Sequence, residues 1–87
     1  MVAEIHFTKH AVEKFSILAH HGVVISREQV VETVEHPDVI DRSRMPLKIA
    51  QRGLNRTHVL RAVYREENGM KVIITFYPGR KSQYEEQ

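Results

Sequence analysis

Between Arg42 and Arg65 the chain carries seven Lys or Arg residues and no Asp or Glu. Lys48, Arg52, Arg56, Arg61 and Arg65 fall in or beside stretches that read as strands, so a sheet would gather them. Arg80, Lys81 and Tyr84 follow the last of those stretches and can fold back over its end. Guanidinium groups grip phosphates bidentately, and a tyrosine can stack on a base or exchange a proton. Cleavage of RNA by its own 2′-hydroxyl needs a base for that hydroxyl, positive charge at the phosphate and a donor for the leaving oxygen. Arg, Lys, Tyr and His can supply all three. A plain binding module would use the same residues.

Metal chemistry finds less to work with. There is no cysteine, which excludes disulfides, thiolate zinc sites, iron–sulfur clusters and thiol catalysis. There are six histidines but no HExxH pattern, and the adjacent His20 and His21 point apart on a helix. Two-metal catalysis requires converging carboxylates. The only acids near the basic stretch are Asp41, Glu66 and Glu67. No metal or other cofactor is expected.

The elements that must position these groups form one domain, 1–87, since 87 residues suffice for a single compact core. No stretch approaches the ~20 apolar residues of a membrane span, and 1–6 is too short and polar for a signal peptide. The expected location is cytoplasmic, with no membrane partner. Charge is segregated: residues 1–41 hold seven acids and three bases, residues 42–84 ten bases and two acids. A positive field of that kind attracts RNA, DNA or an acidic protein. It can also be a solvated face balanced by the chain's own acidic helices.

Glu4 to Thr8 reads as a short strand. Ala11, Val12, Phe15, Leu18 and Ala19 have helical spacing after a Thr8 cap, with Gly22 as the stop. Ser26-Arg-Glu-Gln29 is a capping box for a second helix that Pro37 ends. The expected fold is α+β: a two-helix hairpin packed on a small antiparallel sheet built from 39–42, 47–52, 57–65 and 70–77. Asn68-Gly69 marks a two-residue hairpin turn. An unbroken register from that turn sets Val63 opposite Ile74 and Arg61 opposite Phe76. Val59, Arg61, Val63, Arg65, Val72, Ile74 and Phe76 then share the face expected under the helices. His58, Leu60, Ala62, Tyr64, Ile73 and Tyr77 take the exposed one. A bulge would exchange part of this assignment. Beyond Pro78-Gly79 the tail is expected to fray past Tyr84.

Five segments carry a resemblance: His6-Phe-Thr-Lys-His-Ala11, Glu35-His-Pro-Asp38, Lys48-Ile-Ala-Gln-Arg52, Leu60-Arg-Ala-Val-Tyr64, and Val72 to Pro78 with Arg80-Lys81. Together, over about residues 4–84, the chain resembles the DUF4258 family, itself similar to RelE-like and BrnT-like toxins of toxin–antitoxin pairs. The turn His21-Gly-Val-Val-Ile-Ser26 is one residue longer than in typical members. The resemblance implies a RelE-like toxin fold and an mRNA endoribonuclease, ribosome-dependent or free, neutralised by an acidic antitoxin. It implies that Arg61 and Arg80 hold the scissile phosphate, with Tyr84 or His58 as acid–base. Lys48, Arg52, Arg56, Arg65 and Lys81 would contact RNA. Cleavage would be metal-independent, leaving a 2′,3′-cyclic phosphate or 3′-phosphate and a 5′-hydroxyl. The alternatives are a non-catalytic RNA- or ribosome-binding domain and a protein-interaction domain.

Overall fold

The computed structural model describes residues 4–84. The stretch past Tyr84 lies outside them, as do the first three residues of the N-terminus. In chain order the elements are β1 (Glu4–Phe7), α1 (Lys9–His20), α2 (Arg27–Glu35), β2 (Val39–Asp41), β3 (Lys48–Gly53), β4 (His58–Glu67), β5 (Met70–Arg80) and α3 (Lys81–Tyr84).

Local chemistry sets the helix starts. The Thr8 side chain accepts the Ala11 N–H, and Ser26 and Gln29 close a reciprocal capping box. The sheet order is β1-β5-β4-β3-β2. β2 to β5 pair antiparallel, but β1 runs parallel to β5, with Glu4 opposite Met70 and Phe7 opposite Ile73.

The expected architecture is therefore corrected. The sheet is five-stranded and mixed, not small and purely antiparallel, and there are three helices among the described residues. The two longer helices do not act as a self-packed hairpin. α1 lies on β5 and β1, α2 on β4 and β3, and each meets the sheet more than it meets the other. Sequence patterning cannot show a parallel partner at the opposite end of the chain. β5 also runs on through Pro78-Gly79. Pro78 falls in the part of the strand that β1 does not reach, where a missing N–H is tolerated.

The faces of the sheet are corrected too. The residues under the helices are Ala50, Leu60, Ala62, Tyr64, Ile73 and Phe76, which pack with Ala11, Ile25, Val30 and Val34. Phe15 bridges the layers, its ring centroid 4.6 Å from that of Phe76 and 5.9 Å from that of Phe7. Val59, Arg61, Val63 and Arg65 alternate with this set and lie on the helix-free face. The cause is a bulge. From the turn the register runs as expected to Tyr64 opposite Ile73, then slips so that Val63 opposes Thr75 and Arg61 opposes Tyr77. Ile74 is the extra residue. The slip lets Phe76 join Ile73 beneath the helices and moves Tyr77 to the side of Arg61.

Candidate nucleic-acid interface

Strand pairing places Val39, Gln51, Arg61 and Tyr77 in one row across the helix-free face. Arg61 is the centre of that row and only 6% exposed. Its Nε donates to the Tyr77 hydroxyl at 3.1 Å, Nη1 to the Gln51 side-chain oxygen, and Nη2 to an Asp41 carboxylate oxygen at 3.0 Å. Three of the five guanidinium N–H groups are so engaged.

The Tyr84 ring covers this group, its centroid 4.1 Å from Arg61 Cζ. α3 brings it there, anchored where the Lys81 N–H bonds the Thr57 carbonyl at 2.9 Å. The ring lies so close to Gly79 that a Cβ at that position would stand 2.4 Å from it. Only glycine admits the approach. Tyr84 itself stays 38% exposed.

Burial works against the Arg61 charge, but the hydrogen bond to Tyr77 and then that to Asp41 outweigh it and raise its pKa. Ser43 bonds Asp41 from the following loop and, with Arg61, holds its carboxyl at about 2. Asp41, Ser43, Arg44, Leu47, Arg61 and Tyr77 line a depression of about 430 Å³. In it Arg61 stands between two phenols and is paired with the Asp41 carboxylate, and Leu47, Ile49 and Val63 supply the apolar part of the lining.

The other residues singled out from the sequence do not converge here. Lys48 and Arg52 alternate with Ile49 and Gln51 and lie on the helix-covered side. Lys48 Nζ pairs with Glu66 at 2.6 Å, which lowers the pKa of Glu66. Arg52 bonds the His36 carbonyl and lies 3.8 Å from Glu32. Arg65 shares the Arg61 face but pairs with Glu67 at 2.9 Å. His58 stands three residues from Arg61, hence on the opposite face, with Nδ1 2.7 Å from the Thr57 hydroxyl. Arg80 is opposite His58 and exposed; Arg56 is exposed in the β3–β4 turn.

The arrangement thus joins Arg61 with Tyr84 and separates both from His58, Lys48 and Arg52. Asp41, Gln51 and Tyr77 were not foreseen. The bulge hid Tyr77, and the loop between β2 and β3 hid the approach of Asp41. No three His, Asp or Glu side chains gather as metal ligands among the described residues, and no described helix is long and apolar enough to cross a membrane.

Comparison with family models, with curated proteins and with solved structures finds no match.

Proposed function

We propose that this chain acts on RNA, as the toxin of a toxin–antitoxin pair, and that the helix-free face around Arg61 is where the phosphate backbone lies. The observation that supports the reading is a guanidinium fixed between two phenols on the sheet face opposite the two longer helices. In the cleavage step the 2′-oxygen attacks phosphorus, the bond to the 5′-oxygen breaks, and a 2′,3′-cyclic phosphate and a 5′-hydroxyl form. The 2′-hydroxyl loses its proton and the 5′-oxygen gains one. Arg61 offers its two unengaged N–H groups to the non-bridging oxygens, and Tyr84, with Tyr77 beside it, carries the proton. None of these steps uses a metal ion.

A second reading has its own support. Arg61 is nearly enclosed and partly neutralised by Asp41, the environment of an arginine that shapes a surface. In that case RNA, the ribosome or an acidic antitoxin segment binds without cleavage.

Induced expression with growth and mRNA-end mapping tests both. The expected result is growth arrest with new 5′-hydroxyl ends, weakened in Tyr84→Phe and Tyr77→Phe, which leave the fold in place. RNA binding without new ends would select the second reading. Absence of both binding and growth arrest would overturn the RNA assignment.

A further inference from the structure

We propose a second phosphate-contacting site at one end of the sheet, made by Arg56, His58, Arg80 and Lys81 and separate from the Arg61 centre. Pairing brings these residues together from three elements. Arg80 lies directly opposite His58, and the Lys81 N–H bonds the carbonyl of Thr57, one residue after Arg56. The turn that carries Arg56 is rigid. The Asn55 side-chain oxygen accepts from the N–H groups of Thr57 and His58, and the Asn55 N–H returns to the His58 carbonyl.

Cations at this end differ from four of the other cations on the sheet, though Lys71 on β5 is likewise without an ion pair. Lys48, Arg52, Arg61 and Arg65 each have a carboxylate within 4.0 Å. Arg56, Arg80 and Lys81 have none among the described residues. The loop from Gly22 to Ser26, which meets His58 and Pro78 across a shallow cleft, carries no acid, and the two residues before it are His20 and His21. On the β3 side the Asp38 carboxylate accepts the Gly53 N–H. Three cations that make no ion pair among the described residues, extended by an imidazole, can contact successive phosphates of a single strand.

The position links the two faces. His58 stands three residues before Arg61 on β4, a rise of about 10 Å. Lys81 opens the short helix that returns across the helix-free face to Tyr84. A strand held at this end can continue over α3 to the Arg61 depression. The site thus deepens the RNA reading, on which it rests, by assigning its backbone contacts to residues other than Arg61.

The test is fluorescence anisotropy with a labelled single-stranded RNA of about twelve nucleotides, within the range one small domain covers. Salt is varied from about 50 to 200 mM. The proteins are wild type, Arg56→Ala/Arg80→Ala/Lys81→Ala and Arg56→Lys/Arg80→Lys. Three lost phosphate contacts should flatten the slope of log affinity against log salt by about 2. Wild-type affinity should then fall about 20-fold more than that of the triple variant over this range. The double lysine variant should keep the wild-type slope. A triple variant with an unchanged slope overturns the site, even where growth arrest upholds the toxin reading. The expected slopes without cleavage sustain the site while the catalytic reading fails. A wild type that does not bind RNA overturns both.

Discussion

Arg61 is held by four elements at once, through Asp41 of β2, Gln51 of β3, Tyr77 of β5 and Tyr84 of α3. Its removal leaves a carboxylate, an amide and a phenol without their partner, and Arg61→Leu should destabilise the fold by about 3 kcal/mol in urea denaturation. An unchanged midpoint would show that the contacts contribute nothing net. Asp41 gives a separate handle. Its carboxyl lies at about 2 against 3.8 for the free group, so the folded chain binds this proton more weakly than the unfolded one. The associated stability is complete above about pH 4 and lost as pH falls toward 2. With a discount for part exposure it amounts to about 1 kcal/mol. The wild-type urea midpoint should fall more steeply than that of Asp41→Asn between about pH 5 and 2; parallel curves would refute the assignment. Arg61 stood out in the sequence as one of the cations gathered in or beside the strands of the acid-free stretch. Of its partners Tyr84 stood out too, but Asp41, Gln51 and Tyr77 did not, since no local signal sets the registers that bring them to Arg61.

Among the elements, the helices were the most legible and the β4–β5 pairing the least. Thr8 and the Ser26–Gln29 box mark their helices by chemistry confined to four residues. Ser26→Ala should therefore lower stability by about 1 kcal/mol, as read by thermal unfolding. The Asn68-Gly69 turn was equally plain, and its residues take the positive φ that such a turn needs. Yet a correct turn did not yield correct faces. One extra residue, Ile74, reverses the far half of β5 relative to β4. No composition signal marked it, because either register leaves both faces apolar enough to bury. Both are buried in fact: Leu60 and Ala62 under the helices, Val59 and Arg61 on the α3 side. Gly79 probes the second cover directly. Gly79→Ala should drive the Tyr84 ring off Arg61, seen as greater quenching of Tyr84 by acrylamide in a variant where Tyr64 and Tyr77 are replaced by Phe. Unaltered quenching would mean that the ring does not rest there.

Across the whole molecule the segregation of charge was visible from composition, but its geography was not. The cations of residues 42–84 do not form one patch. Lys48 and Arg52 are tied to Glu66 and to Glu32 on the covered side, Arg61 and Arg65 to Asp41 and Glu67 on the other. The acidic first half thus neutralises part of the basic second half within the fold, while Arg80 makes no ion pair among the described residues. On the RNA reading, cleavage should persist in EDTA, and its products should end in a cyclic or 3′-phosphate. Products ending in a 3′-hydroxyl, mapped by ligation, would exclude attack by the 2′-oxygen.

The parallel pairing of β1 with β5 also orders events in time. Glu4 to Phe7 are synthesised well before their sheet partner, Met70 to Ile73. Until Met70 to Ile73 have been made, β1 has no partner and α1 has no β5 to cover. The strand made earliest of the five is thus the one that waits longest to join the sheet.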